Sequence, residues 1–121
     1  MSEFKFEKLV VWQKAIEYAN SIYDVTDQFP SREMYGITSQ VRRAALSVSS
    51  NIAEGNSRAS KVEYARFIEI AYGSLMETVS QIHLSHRRQL CNQEQLQQLN
   101  EEAVVIARML SGLRNSLLSD H

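Results

Sequence analysis

Gln40 to Arg58, QVRRAALSVSSNIAEGNSR, is the stretch whose reading decides the fold. At about 100° per residue on a helix, Val41, Ala44, Ala45, Val48 and Ile52 share one side. Gln40, Arg43, Ser47, Ser50, Asn51, Glu54 and Arg58 share the other. The apolar side is made of small and β-branched residues, so a neighbouring helix can approach closely. The polar side differs from an ordinary solvated helix face, which is rich in Lys and Glu, both good helix formers. Ser and Asn compete for backbone hydrogen bonds and disfavour helix interiors. Several of them on one stripe point to a packed polar seam, against the blander reading of a solvated face. In the seam reading, Arg43 and Glu54 form a hydrogen-bonded network with Ser47, Asn51 and an acid of the next helix, Glu69 or Glu77. Gln40 belongs to the same stripe.

Working outward, Gly55 reads as the C-terminal stop of this central helix and Thr38 as a cap at its start. Upstream, Arg32 to Tyr35 reads as a helical turn. Gly36 either relaxes the backbone or lies inside a longer helix, so the element spans about 32–54. Phe29-Pro30-Ser31 breaks the chain before it: the residue preceding Pro is pushed out of the α region, and Ser31 is a candidate N-cap. A first helix over about 9–28 carries Trp12, Ala15, Ile16, Ala19, Ile22 and Tyr23 at helical spacing. Val10, Val11, Tyr18 and Val25 add a second apolar flank, more than one bundle core needs, which predicts self-association. Residues 1–7 read as extended, with Phe4 and Phe6 on one side and free to dock on the bundle or on another subunit.

Downstream, Ser60-Lys61-Val62-Glu63 is a capping box that opens a third helix over about 61–89. Its stripe is Tyr64, Phe67, Ile68, Ala71, Leu75, Val79 and Ile82. Gly73 in its middle costs about 1 kcal/mol relative to Ala, which suggests that another backbone comes close. Asn92 caps a fourth helix over about 93–118, where Leu96, Leu99, Ala103, Ile106, Leu110, Leu113 and Leu117 alternate three and four apart, a coiled-coil-like seam. The tail from Ser119 to His121 is expected to fray. Four helices, short connections and no strand signal predict an all-α, antiparallel up-down-up-down four-helix bundle in a single domain over residues 1–121.

Composition fits that reading. The 121 residues include only 4 Gly and 1 Pro, so long helices meet few breakers. The net charge of −1 creates no global field toward nucleic acid or anionic lipid. Charge is uneven, however: Arg32 to Arg66 holds six basic residues against three acidic ones, a local +3. A lone Cys91 excludes an intrachain disulfide and suits a reducing compartment. The start, MSEFKFEK, has no signal-peptide character, and no apolar run is long enough to span a bilayer. A soluble cytoplasmic protein is expected, with no membrane partner.

No enzyme chemistry announces itself. There is no phosphate loop, dinucleotide Gly pattern or nucleophile elbow. Ser74 follows Gly73 inside a helix and reads as structural; Glu54, Glu69 and Glu77 read as ion-pair partners of nearby arginines. His83 and His86 lie three apart, but the positions three before them are Ser80 and His83, so the Glu-x-x-His pattern of di-iron bundles fails. His83 is expected to be partly packed and His86 solvated. No catalytic residue, metal or cofactor is expected. Two roles remain: a docking scaffold for another protein, and a nucleic-acid binder using Arg42, Arg58, Lys61 and Arg66 on RNA or DNA phosphates. No aromatic residue lies between Arg42 and Arg58 to stack bases.

The run RRAALSVSSNIAEG, Arg42 to Gly55, resembles the signature of the 23S ribosomal RNA intervening-sequence proteins. Leu9, Trp12, Gln13, Lys14 and Ala15 resemble the family's opening LxxWQKA, and Phe29-Pro30 with Glu33 its first turn. Arg58, Ser60, Phe67, the run Ile70 to Leu75 and Glu77 resemble its third-helix motif. The likeness spans residues 6 to 118 or so. Ser49 stands where many relatives have Pro, which leaves open the kink expected there, and Thr78 to Ile82 is less typical. The resemblance implies a left-handed bundle assembled as a homo-oligomer, typically a five-fold ring. Some relatives are encoded within ribosomal RNA genes. Similar bundles serve diversity-generating retroelements and bind nucleic acid and a reverse transcriptase. It implies no catalytic residue.

Overall fold

In the computed structural model, residues 3–119 are described, and they form four α-helices. These are α1 (Val10–Thr26), α2 (Ser39–Asn56), α3 (Lys61–Arg87) and α4 (Gln93–Ser119). Each helix packs on the next, and α1 closes against α4. The result is an all-α four-helix bundle. Among the described residues no helix is long and apolar enough to cross a membrane.

The core follows the apolar phases of the four sequences. Ala15, Tyr18, Ala19 and Ile22 meet Val41, Ala45, Val48 and Ile52. Ile68, Ala71, Leu75 and Ile82 complete it with Leu99, Ala103, Ile106 and Leu110. Burying a side chain of the Ile or Leu type stabilises by about 1.5–3 kcal/mol, so this stripe is the main reason the helices associate. Four of the buried polar side chains close on their own helices, while the Thr38 hydroxyl has no partner among the described residues. Thr26, Thr78 and Ser85 donate to the carbonyls of Ile22, Ser74 and Gln81 at 2.7, 2.8 and 2.9 Å. The buried Ser49 donates to the Leu46 carbonyl at 3.1 Å, and α2 runs unbroken through it.

Several local expectations change. Lys5–Lys8 is a 3₁₀ turn, not an extended strand, because the Glu7 carboxylate accepts from the Phe4 N–H at 3.1 Å. Phe6 then sets its ring edge-on against Trp12, with centroids 5.0 Å apart. Between α1 and α2 the chain passes through a 3₁₀ turn, Ser31–Glu33, and a π turn, Met34–Thr38, where Gly36 leaves helical geometry. Neither Ser31 nor Thr38 caps with its side chain. The turn running straight into α2 supplies carbonyls to the first α2 N–H groups, so a side-chain acceptor is not needed.

Gly55 is not a helix stop, since α2 continues to Asn56. A Cβ on Gly55 would lie 2.8 Å from Phe67 Cβ and 3.3 Å from the Tyr64 carbonyl oxygen. The glycine is there so that α3 can leave the turn pressed against α2. Gly73 shows the opposite: a Cβ there meets nothing within 4 Å, so no backbone of the chain approaches it.

Asn92 caps α4 as the sequence predicts, and Ser60 caps α3 by the forward half of the expected box, since the Glu63 carboxylate turns to Arg66 instead of reaching back. Ser60 Oγ accepts from the Glu63 N–H at 3.1 Å. Asn92 Oδ1 accepts from the Gln95 N–H at 2.7 Å, and Gln95 Oε1 accepts in return from the Asn92 N–H at 2.9 Å. The third helix ends at Arg87 through Gln89, whose φ of 63° lets the Leu90 N–H reach the Ser85 carbonyl at 2.9 Å. Ser119 ends α4, while Asp120 and His121, the rest of the expected frayed tail, lie outside the described residues.

Candidate interaction site

The polar side of α2 splits in two. Ser47 and Asn51 fall next to α3 and are half-buried. Ser47 Oγ lies 2.9 Å from Ser74 Oγ across the helix pair, and Asn51 Nδ2 donates to the Ser47 carbonyl at 2.8 Å and to its hydroxyl at 3.0 Å. Arg43, Ser50 and Glu54 lie further round the helix, and Gln40 lies at its first turn; all four are exposed. The two acids proposed from α3 go elsewhere. Glu69 pairs with Arg114 on α4, and Glu77 accepts from Gln81 at 3.3 Å on its own helix. The seam within the chain is therefore Ser47, Asn51 and Ser74. The sequence marks Ser74 as structural but gives it no partner; the signal is its place one turn before Thr78, two short polar residues on one side of α3.

Arg42 and Arg43 exchange the roles the sequence suggests. Arg42 turns inward over the end of α1: Nε donates to Thr26 Oγ1 at 2.8 Å and Nη2 to Asp27 Oδ1 at 2.8 Å. Its guanidinium sits 4.5 Å from the Tyr23 ring centroid. The cause is local charge. The last turn of α1 presents carbonyls that favour a cation, and Asp27 and the Tyr23 ring add to it. Arg43, about 100° further round the helix, has no hydrogen-bond, ion-pair or ring partner among the described residues.

The other basic candidates gather at the α2–α3 turn. The Arg58 guanidinium stacks 4.5 Å from the Phe67 ring centroid. Arg66 pairs with Glu63 at 3.5 Å, and Lys61, the first residue of α3, also has a partner. Of the four residues proposed to contact phosphates, Arg58, Lys61 and Arg66 are exposed in the α2–α3 turn and the first two turns of α3, while Arg42 is held against α1.

The first helix uses its second flank differently from expectation. Val11 and Tyr18 are buried in the core and Val25 is half-buried against it; Val10 stays exposed. Between α1 and α4 runs a groove of about 260 Å³ lined by Lys14, Glu17, Glu101, Glu102, Val105 and Ile106. A second, of about 250 Å³, continues past Ser21, Asp24 and Gln98. Glu102 accepts from Ser21 Oγ at 3.1 Å and from Gln98 Nε2 at 3.4 Å. Burial pushes its carboxyl above the ordinary range, and the Glu17 charge adds to this, while the two hydrogen bonds and Lys14 oppose it. Beneath it the buried Tyr18 hydroxyl has no partner among the described residues, and burial followed by the Glu102 charge raises its pKa.

His83 and His86 are reversed from expectation: His83 is exposed, with Nε2 3.2 Å from Asn100 Nδ2, and His86 is half-buried. Among the described residues no three His, Cys, Asp or Glu side chains cluster to hold a metal. Cys91 is buried, which pushes its thiol pKa up.

With this geometry in hand, three comparisons bear on the chain. The profile of the 23S rRNA-intervening sequence protein family matches residues 7–112. A crystal structure of a protein of unknown function from the S23 ribosomal protein family of Bacteroides thetaiotaomicron VPI-5482 superposes with a TM-score of 0.81. It is 23% identical, and the match covers 87% of this chain and 98% of that one, a likeness of fold. No curated protein matches the chain.

Proposed function

The chain belongs to the family of 23S rRNA-intervening sequence proteins, and on that premise we propose that it is a non-enzymatic, homo-oligomeric scaffold of four-helix bundles. The observation that supports this is the set of large apolar side chains left on the outside of the isolated chain. Ile70, Met76 and Leu84 on α3 and Val104 and Val105 on α4 are all exposed, although each helix has already filled its own core stripe. Exposed apolar side chains of this size on two neighbouring helices are contact area that another protein can cover. The family resemblance supports a ring of five as the form of that oligomer.

Nucleic-acid binding is the competing role, and it draws less support. Arg42 is committed to α1, Arg66 faces Glu63, and Arg58 lies flat on Phe67. Phosphate contacts need cations free to reach outward.

Sedimentation equilibrium at micromolar concentration tests the reading. The expected result is a single species at an integral multiple of 13.9 kDa, reduced in size by Ile70→Asp and Met76→Asp. A stable monomer would overturn it.

A further inference from the structure

We propose that the ring is built heterologously, the Arg43 face of α2 on one copy seating in the acidic α1–α4 groove of the next. This rests on the homo-oligomer reading above and adds which surfaces meet.

The basic side comes first. Six basic residues lie between Arg32 and Arg66. Arg32 pairs with Glu33 at 3.8 Å, Arg42 with Asp27, and Arg66 with Glu63. Arg58 stacks on Phe67 and Lys61 has a partner of its own. Arg43 alone among the six has no hydrogen-bond, ion-pair or ring partner among the described residues. It stands on the outward face of α2 with the exposed Leu46 one turn away and Ser39 and Ser50 around them. These short side chains let another helix come close, which is the property that made this stripe look like a packed seam.

The acidic side is the mirror of this. Along the α1–α4 grooves Glu17, Asp24, Glu101 and Glu102 face Lys14, and Arg108 lies beyond Val104 and Val105, so carboxylates outnumber bases four to two. Glu101 is exposed and, among the described residues, accepts only from Gln97 on its own helix, at 3.3 Å. Val104 and Val105 are exposed beside it. One copy thus offers a cation beside a leucine, and the other offers surplus carboxylates beside two valines. Opposite charge across an interface fixes partner and orientation. Two different surfaces that meet in this way join copies head to tail, and they close as a ring where the rotation from copy to copy divides the circle.

The test is a charge swap read by light scattering after size exclusion, with far-UV circular dichroism to show that each variant is helical. Arg43→Glu and Glu101→Arg are both exposed changes, and each is expected to raise the dissociation constant by at least about tenfold. The doubly swapped chain, Arg43→Glu with Glu101→Arg, is expected to recover the wild-type mass. Arg43→Gln and Glu101→Gln serve as milder versions, expected to weaken assembly in the same direction. If the wild type assembles and both single reversals assemble equally well, the pairing of these faces is wrong while the oligomer stands. A double swap that stays dissociated also overturns the pairing. A monomeric wild type removes the oligomer reading itself.

Discussion

Arg42 Nη2 lies 2.8 Å from Asp27 Oδ1, and this pair ties the start of α2 to the end of α1. The arginine side chain is 17% exposed and the aspartate 70%, so the cation sits in protein and the anion largely in water. The tie works because Arg42 also reaches Thr26 Oγ1 and lies over Tyr23. With Arg42 held inward, the adjacent Arg43 is turned out, and the surface character of α2 follows from that choice.

Arg42→Ala is therefore expected to cost about 1–2 kcal/mol, the loss of charge-assisted hydrogen bonds from a half-buried group. Arg42→Lys should fall between, since an ammonium cannot make both bonds and stack. Asp27→Ala should cost less, because an exposed carboxylate contributes little. Urea unfolding measures all three. An Arg42→Ala variant that unfolds with wild type would show that the tie is not structural.

Two glycines should answer alanine with opposite signs. Gly55→Ala forces a methyl into Phe67 Cβ and the Tyr64 backbone and should destabilise by about 1–3 kcal/mol. Gly73→Ala places a methyl in open space and should stabilise by up to about 1 kcal/mol through helix propensity alone. Thermal melts of the two variants decide. Equal destabilisation at both would mean that Gly73 also faces a close backbone.

Gln89 holds a left-handed conformation, φ 63°, at the end of α3. A side chain there costs roughly 1–2 kcal/mol that glycine avoids, offset in part by the greater freedom of glycine in the unfolded chain. Gln89→Gly should raise stability by about 0.5–1 kcal/mol. No gain in the melting temperature would mean that the Gln89 side chain has contacts that offset the backbone cost.

Ribosomal RNA fragments and random-sequence duplex DNA should show no appreciable retention in fluorescence anisotropy once salt rises from about 50 to about 200 mM, a range over which phosphate binding falls steeply. Reversing Arg58, Lys61 and Arg66 together should leave the assembly unchanged. Tight binding whose log–log salt slope drops in that triple variant would instead favour the nucleic-acid role.

The amino-acid sequence by itself determined four helices, the phase of the buried stripes of α2, α3 and α4, and the caps at Ser60 and Asn92. These rest on periodicity and on hydrogen bonds between residues three apart, both written locally. On α1, by contrast, the stripe is turned so that Val11 and Tyr18 are buried and Ile16 is exposed. The tertiary structure decided which way the polar stripe of α2 divides. Neighbouring helices lie on only part of its circumference, so Ser47 and Asn51 meet Ser74 while Arg43 and Glu54 pass beyond the contact. It also decided that Arg42 and not Arg43 turns inward, because the attracting groups belong to α1, sixteen and fifteen positions away in the chain. Gly55 is the same lesson in backbone form. Its reason for being glycine is Phe67 and Tyr64 on another helix, and a reading of its own neighbours finds only a helix end.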